Sequence, residues 1–233
     1  MSEFDFGQIK NEFIDGMKQA ASALETAAKE TSSDLTRLKR FRDCGKDLFI
    51  SGAITSHGGN LSESDGNSIW ITRNGAMLSH LQSGDIVRAY LSPTDLDQYA
   101  SMELVVHRAM YRAWADRMIE AKQAFVARAI AHAHTRHTVF RSLIEDAIKP
   151  VDSEGKLVLG NSVPVFSPAN TIASEEVATL MADLVKSGYA IAVIRGHGPF
   201  VIADKLEHAL RMISCLEYSS QLLCMLEASG KHS

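Results

Sequence analysis

The sequence predicts an α/β fold in which helices cover a mixed, largely antiparallel sheet. Apolar residues recur at spacings of three and four in several long segments, which is typical of amphipathic helices. Short β-prone segments lie between glycine-rich turns, as expected for strands. The two kinds of segment do not alternate strictly, whereas a parallel sheet of βαβ units would require alternation. No stretch resembles a linker, so we expect one globular domain.

The helices are predicted from apolar periodicity and from residues that favour helix ends. Residues 32–34, Ser-Ser-Asp, favour the start of one helix, and Ser174 with two glutamates favours the start of another. Gly188 favours the end of that second helix. The predicted helices span 7–30, 32–49, 101–118, 135–146, 174–186 and 204–228.

The strands are predicted from short apolar or β-branched segments bounded by turn residues. Residues 189–195 and 199–203 are expected to pair around the turn Gly196-His197-Gly198-Pro199. The Asn-Gly pair at 74–75 is a candidate hairpin turn, although its neighbours alternate poorly. The other segments predicted to be extended are 53–56, 68–72, 85–91, 126–133 and 157–166.

Composition excludes several classes of protein. The 233 residues contain 24 Lys and Arg against 28 Asp and Glu, so no basic excess supports general nucleic-acid binding. The apolar stretches are too short to span a bilayer, and the acidic start does not resemble a signal peptide. Three widely spaced cysteines are typical of a reducing compartment. We therefore expect a cytoplasmic protein without a membrane or nucleic-acid partner.

Histidines carry the strongest chemical signal. His132 and His134 lie two apart at the end of a predicted strand, where alternate side chains share a face and can converge on a metal. Such a pair is also common among surface or capping histidines. His197 is the best third ligand, because flanking glycines allow close approach of the backbone. The alternative for His197 is an ordinary tight turn.

Glu103 and several turn residues are the next candidates. Glu103 begins a predicted helix, where a carboxylate complements the helix dipole, and near a metal it could act as a general base or a displaceable ligand. Ser101 and the turns at 58–60 and 74–75 could offer hydroxyl and N–H groups to a phosphate. Each of these is also common as a simple cap or turn.

Taken in order along the chain, these features resemble the class II aldolase/adducin family. The resemblance covers residues 35 to 228, and the ordered set is far more specific than any single motif. The matching segments are Gly59-Asn60, Ile71-Thr72 with Gly75, Gly84-Asp85-Ile86-Val87, Ser101-Met102-Glu103, His107 to Tyr111, His132-Ala133-His134, Arg195-Gly196-His197-Gly198 and Leu206-Glu207-His208-Ala209.

The resemblance implies a class II aldolase-like domain over residues 31–233, with a three-layer αβα architecture, preceded by a helical extension over residues 1–30. It further implies a homotetramer with active sites at subunit interfaces. It assigns a divalent metal, Zn²⁺ first and Mn²⁺, Fe²⁺ or Co²⁺ as alternatives, and a catalytic glutamate. The metal ligands would be His132, His134 and His197, the catalytic residue Glu103, and the residues that bind the substrate phosphate Asn60, Asn74, Gly75 and Ser101.

The implied reaction is cleavage of a ketose 1-phosphate to dihydroxyacetone phosphate and an aldehyde through a metal-stabilised enediolate. The substrate would be fuculose-phosphate-like, or a 5-deoxy- or 5-methylthio-pentulose 1-phosphate. A lyase resembling methylthioribulose-1-phosphate dehydratase is the closest alternative, and a non-catalytic adducin-like scaffold is a more distant one. Related 4-epimerases carry aspartate at the position of Glu103, which argues against an epimerase.

The sequence departs from the family pattern in three places. The interval from Glu103 to His132 is longer by about ten residues, around 117–126. Met102 stands where the family has a second serine. Residues 141–160 contain no tyrosine, so the group that handles the C4 oxygen proton is unassigned. Asp152 and Glu154 are alternatives for that role that the sequence does not favour.

Overall fold

The computed structural model of the chain describes residues 32–230, together with Lys18 and Ser22. Residues 40–233 form one compact unit, and the fold below is that of this unit, with the described residues 32–39 included only as the start of its first helix. The helix predicted over 7–30 lies outside the described residues, apart from Lys18 and Ser22, which are helical. The division into an extension over 1–30 and a domain over 31–233 stays a prediction.

A mixed, largely antiparallel sheet forms the middle layer. Within residues 32–230, eight strands are arranged in the order β3-β2-β1-β4-β8-β7-β6-β5. Every neighbouring pair is antiparallel except β6 and β7, which are parallel. The strands are β1 Asn60–Ser64, β2 Ser68–Thr72, β3 Ile86–Tyr90, β4 Arg128–His132, β5 Ala147–Ile148, β6 Val163–Phe166, β7 Ile191–Ile194 and β8 Gly198–Ala203.

Helices cover both faces of the sheet and give the predicted three-layer αβα architecture. Helices α2 and α5 pack against each other and share a buried apolar core with β2, β4, β7 and β8. Helix α6 packs on β1, β4 and β8, with α3 and α4 beside it. The described helices are α1 over 32–50, α2 Leu104–Glu120, α3 Arg136–Ile144, α4 Ser153–Leu159, α5 Glu175–Lys186 and α6 Leu206–Ala228.

Alternation along β4 divides the core between the two faces. Ile130 belongs to the core shared with α2 and α5, so Ala129 and Ala131 on either side of it point to the opposite face. All three side chains are fully buried. A central strand that is apolar on both faces requires helices on both faces, which explains the layering.

Two predicted strands differ in the structure. Residues 53–56 form a turn, because the Ala53 N–H donates to the Leu48 carbonyl at 2.9 Å and closes the end of α1. The segment 157–166 begins as helix α4, since the Asp152 side chain accepts the Gly155 N–H and caps that helix. Its extended part is confined to β6.

The turn at 74–75 is part of a longer connection. It lies in the segment 73–85 that joins β2 to β3, which also contains two short 3-10 helices, Leu78–His80 and Ser83–Asp85. The turn is therefore not a two-residue hairpin loop. Among the described residues, no helix combines the length and apolarity that crossing a bilayer requires.

Candidate metal centre and active site

His132 is the last residue of β4 and is completely buried. Its ring stacks on Phe200 of the adjacent strand β8, with centroids 3.9 Å apart and planes inclined by 13°. Its Nδ1 lies 3.0 Å from the Pro199 carbonyl oxygen. Because a carbonyl can only accept, Nδ1 carries the proton and Nε2 presents a lone pair, which is the tautomer a metal ligand needs.

His134 lies two residues beyond His132, just after β4. The Ala133 N–H still donates to the Pro199 carbonyl at 3.3 Å, so pairing with β8 continues past His132. Nε2 of His134 is 3.0 Å from Nε2 of His132. The segment at Gly58 lies so close that a Cβ there would be 2.9 Å from Nδ1 of His134. The extended backbone and the close packing against Gly58 together place the second imidazole.

His197 lies in the tight turn between β7 and β8, as the sequence predicts. Gly198 has a φ of +146°, and a Cβ there would lie 2.0 Å from the Ala133 carbonyl oxygen. Only glycine allows this contact, which places the turn directly against the segment that carries the other two histidines. Nε2 of His197 is 3.2 Å from Nε2 of His132.

The three imidazoles form a donor set that fits a divalent transition metal. Their ligand atoms lie within 4.8 Å of one another. Ligand nitrogens at zinc–nitrogen distance from one tetrahedral ion are about 3.3 Å apart, close to the 3.0 and 3.2 Å between the Nε2 atoms. Burial lowers the pKa of all three, to about 4 for His134, so each ring is neutral at neutral pH and can bind a metal.

Glu103 lies beside this cluster, immediately before α2. Its Oε1 accepts the backbone N–H of Ala173 at 3.0 Å and is 3.9 Å from Nε2 of His197. Its Oε2 is buried and has no hydrogen-bond partner among the described residues. Burial raises the pKa of Glu103 to about 7, with the Ala173 N–H acting in the opposite direction. The carboxyl group can therefore gain or lose a proton near neutral pH.

The loop before α5 carries the N–H that holds Glu103. Ala173 has a φ of +49°, in the left-handed region that a residue with a Cβ rarely adopts. The next residue, Ser174, caps α5 by accepting the Val177 N–H, and its hydroxyl donates to the Asn170 carbonyl. These bonds maintain a strained backbone that aims one N–H at the carboxylate.

All eight predicted site residues line one cavity of about 150 Å³. The imidazoles and Glu103 share it with amide, hydroxyl and backbone groups, and Asn60 lies directly opposite His132 on the paired strands β1 and β4. The amide oxygen of Asn60 is buried without a hydrogen-bond partner among the described residues. Neither Asp152, which caps α4, nor Glu154 lines this cavity. The residues brought together are Asn60, Asn74, Gly75, Ser101, Glu103, His132, His134 and His197.

Sequence reasoning missed several residues of the cavity. Arg73 is adjacent to the turn at 74–75, so its position in the chain was a usable signal. Ile172 and the Ala173 N–H come from a loop without any motif, and no sequence signal marks them. The other lining residues that were not predicted are His57, Ala76 and Met102, whereas Gly59 belongs to the turn at 58–60 that the sequence offers as a source of N–H groups.

A family model described as Class II Aldolase and Adducin N-terminal domain matches residues 39–224. The chain belongs to this family. It is 24% identical over 186 residues to an L-fuculose phosphate aldolase of Methanocaldococcus jannaschii, which covers 79% of this chain and 93% of that protein. The crystal structure of L-fuculose-1-phosphate aldolase from Thermus thermophilus matches with a TM-score of 0.73 and 30% identity, covering 84% of this chain and 97% of that one.

Similarity of fold extends to more distant aldolases. A sugar-phosphate aldolase structure from Thermotoga maritima has a TM-score of 0.69 at 15% identity and covers 84% of this chain and 97% of that one. Class II aldolases are metal-dependent, and the histidine cluster is where, within the described residues, such an ion can be held. In this chain α2 continues to Glu120 and a loop follows, in the interval that the sequence predicts to be longer.

Proposed function

We propose that the chain is a metal-dependent aldolase that cleaves a ketose 1-phosphate to dihydroxyacetone phosphate and an aldehyde. One observation carries this proposal: a buried carboxylate oxygen without a partner, Oε2 of Glu103, faces the same small cavity as three convergent neutral imidazoles. A carboxyl group and a metal site in one cavity provide proton transfer and charge stabilisation together. Similarity to fuculose phosphate aldolases supports the substrate class.

His132, His134 and His197 would hold the metal, with Zn²⁺ favoured by three nitrogen ligands and Mn²⁺, Fe²⁺ or Co²⁺ as alternatives. Three protein ligands leave a coordination position for substrate. When bound, the ion supplies a Lewis acid for the negative charge that develops beside the breaking bond. The hydrogen bond from His132 to the Pro199 carbonyl keeps this ligand in the correct tautomer.

Glu103 would transfer the proton at C3. When the C3–C4 bond breaks, the C4 hydroxyl gives its proton to solvent water, C4 becomes a carbonyl and the electron pair stays with C3. Glu103 then protonates C3 through Oε2, while the Ala173 N–H fixes Oε1. After Glu103 has given up its own proton, it takes one back from solvent. In the direction of synthesis the same carboxylate removes the proton from C3.

Asn60, Asn74, Gly75 and Ser101 would hold the substrate phosphate away from the reacting carbons. Gly75 has a φ of +72° and open space around it, so a ligand can approach its backbone closely. A phosphate held there positions C3 and C4 without altering their electronics.

The activity is tested with a coupled assay on the metal-loaded chain. Ketose 1-phosphates, including fuculose, 5-deoxy- and 5-methylthio-pentulose phosphates, are offered with glycerol-phosphate dehydrogenase and NADH. An aldolase releases dihydroxyacetone phosphate and consumes NADH. Loss of substrate without NADH consumption would instead identify a dehydratase, and a metal-loaded chain that converts none of these substrates would contradict a lyase.

We also propose that the enzyme is a homo-oligomer, a tetramer by family resemblance, acting in the cytoplasm. Helix α3 exposes Phe140, Leu143 and Ile144, each at least half accessible, beside the active-site turn. A Cβ at Gly196 would lie 3.4 Å from the side chain of Leu143. Apolar residues exposed together mark a contact surface. Light scattering should show a tetramer in solution, and a monomer would contradict the assignment.

A further inference from the structure

Arg73 lies at the end of β2, directly before the turn at 74–75. Its backbone is fixed on both sides: its N–H donates to the Asp85 carbonyl at 2.8 Å, and its carbonyl accepts the Ala76 N–H at 3.2 Å. It also forms an isolated bridge with Ala100, which precedes Ser101. The side chain is exposed and lines the cavity. A flexible cation therefore extends from a fixed base beside the proposed phosphate site.

Charge sets Arg73 apart from the other lining groups. Among the described residues that line the cavity, it is the one arginine or lysine. Asn60, Asn74, Gly75 and Ser101 contribute no charge. A phosphate monoester is a dianion near neutral pH, and neutral donors alone do not balance it.

The guanidinium of Arg73 is also available for a ligand. Arg40, Arg108 and Arg195 each pair with a carboxylate, at 2.6, 2.8 and 2.5 Å from Glu63, Asp97 and Asp146. Within residues 32–230, no carboxylate oxygen lies within ion-pair distance of the Arg73 side chain. Its fork of donors suits bidentate contact with phosphate oxygens.

We propose that Arg73 binds the phosphate of the substrate and makes the enzyme select phosphorylated over free sugars. This inference rests on the proposed function and extends its phosphate site by a residue. The cavity then combines two unlike groups, a guanidinium for the phosphate and the imidazoles with Glu103 for the reacting carbons, so one orientation of the bound substrate is favoured. Arg73 also supplies binding where Met102 lacks the hydroxyl of the family's second serine.

The test compares the metal-loaded wild type with Arg73→Gln and Arg73→Lys, and uses Arg211→Gln as a matched control. Arg211 is an exposed arginine on α6 that does not line this cavity. In the coupled assay, KM for the ketose 1-phosphate should rise about 10- to 100-fold in Arg73→Gln, with kcat within about threefold. Arg73→Lys should recover part of the affinity, and Arg211→Gln should match the wild type.

Binding of inorganic phosphate, measured by calorimetry, separates this inference from the proposed function. Weakened phosphate binding in Arg73→Gln supports the inference even if the chain cleaves no ketose phosphate, in which case the proposed function fails alone. Cleavage with an unchanged KM and unchanged phosphate affinity in Arg73→Gln overturns the inference and leaves the proposed function standing. If phosphate bound only at the metal, Arg73→Gln would leave both KM and the phosphate affinity unchanged, and the inference would be overturned in the same way.

Discussion

The metal ligands of the cavity and its proposed phosphate-binding turn are built in different ways. The metal end, which is His132, His134 and His197, uses buried or partly buried side chains at or next to strand ends, held by stacking, a backbone hydrogen bond or close packing against glycines. The phosphate end, which is Arg73 and the turn at 74–75, is exposed. Buried, convergent ligands act as a unit, whereas separate contacts to an exposed anion contribute independently. Loss of function should therefore be complete at the metal end and gradual at the other.

The largest effect is expected from the central metal ligand. His132→Ala should remove stoichiometric metal and lower kcat/KM at least about 10⁴-fold, because the charge developing in the reaction loses its partner. Metal analysis and the coupled assay on the same sample measure both effects. His208→Ala is the matched control, since His208 is half exposed on α6 and contacts Asp204. Appreciable activity without metal in His132→Ala would show that the cluster is not needed.

Glu103→Gln should separate proton transfer from metal binding. The amide keeps the shape of the side chain but cannot exchange a proton, so kcat should fall about 10²- to 10³-fold while metal content stays at the wild-type level. Steady-state kinetics and metal analysis are compared in one preparation. A variant that turns over at nearly the wild-type rate would eliminate the proposed role of Glu103.

The phosphate end should respond by a smaller amount. Asn74→Ala removes one neutral donor, so KM should rise about 2- to 12-fold, with kcat and metal content nearly constant. If Asn74→Ala instead lost as much turnover as expected for Glu103→Gln, with KM unchanged, Asn74 would take part in the reaction itself. That result would contradict the assignment of Asn74 to phosphate binding. Lys46→Ala, an exposed substitution on α1 outside the cavity, is the control.

The same distinction explains how far sequence reasoning could reach. The positions of His132 and His197 follow from a strand end and from a glycine-flanked turn, which local patterns reveal. His134 follows from the same strand end, because pairing with β8 continues at Ala133, and it also packs closely against Gly58. Ile172 and Ala173 reach the cavity from a distant loop. Their placement depends on tertiary packing, which no local pattern encodes.

The fold was predictable to a similar degree. The helices predicted within residues 32–230 are confirmed, and so is the pairing of β7 with β8, but the central strand β1 was not predicted. Residues 53–56 have strand-like composition but follow the end of α1, where the Ala53 N–H is used in a hydrogen bond to the Leu48 carbonyl. Asp152 caps α4, but the residues after it are β-prone, so the sequence pattern predicts an extended segment from residue 157, where the structure still has helix.

A buried histidine behind the metal end should make stability depend on pH. His107 contacts Ser62 at 2.6 Å through Nδ1, and burial lowers its pKa to about 3. Below pH 6.5 the unfolded chain therefore binds a proton that the folded chain does not, so stability falls as the pH is lowered. For this one group, the free energy of unfolding falls by up to about 1.4 kcal/mol for each pH unit.

Urea unfolding of metal-free wild type and His107→Gln, at pH 6.5 and 5.5, measures this dependence. The lowered pKa values of His132 and His134 also make the free energy of unfolding fall as the pH is lowered, but they do so equally in both proteins. The difference between the pH dependences of the two proteins therefore measures the contribution of His107 alone. The variant should lose about 1 kcal/mol less over this interval. Equal losses in the two proteins would show that His107 does not remain neutral in the fold.

Three convergent histidines should form one metal site. Titration of the chelator-treated chain with Co²⁺, followed by the visible ligand-field absorption, tests this because the spectrum reports coordination geometry. We expect one ion per chain with a tetrahedral or five-coordinate spectrum in the wild type, and loss of that signal in His197→Ala. A wild-type chain that binds no Co²⁺, or a His197→Ala variant with the wild-type spectrum and affinity, would contradict this expectation.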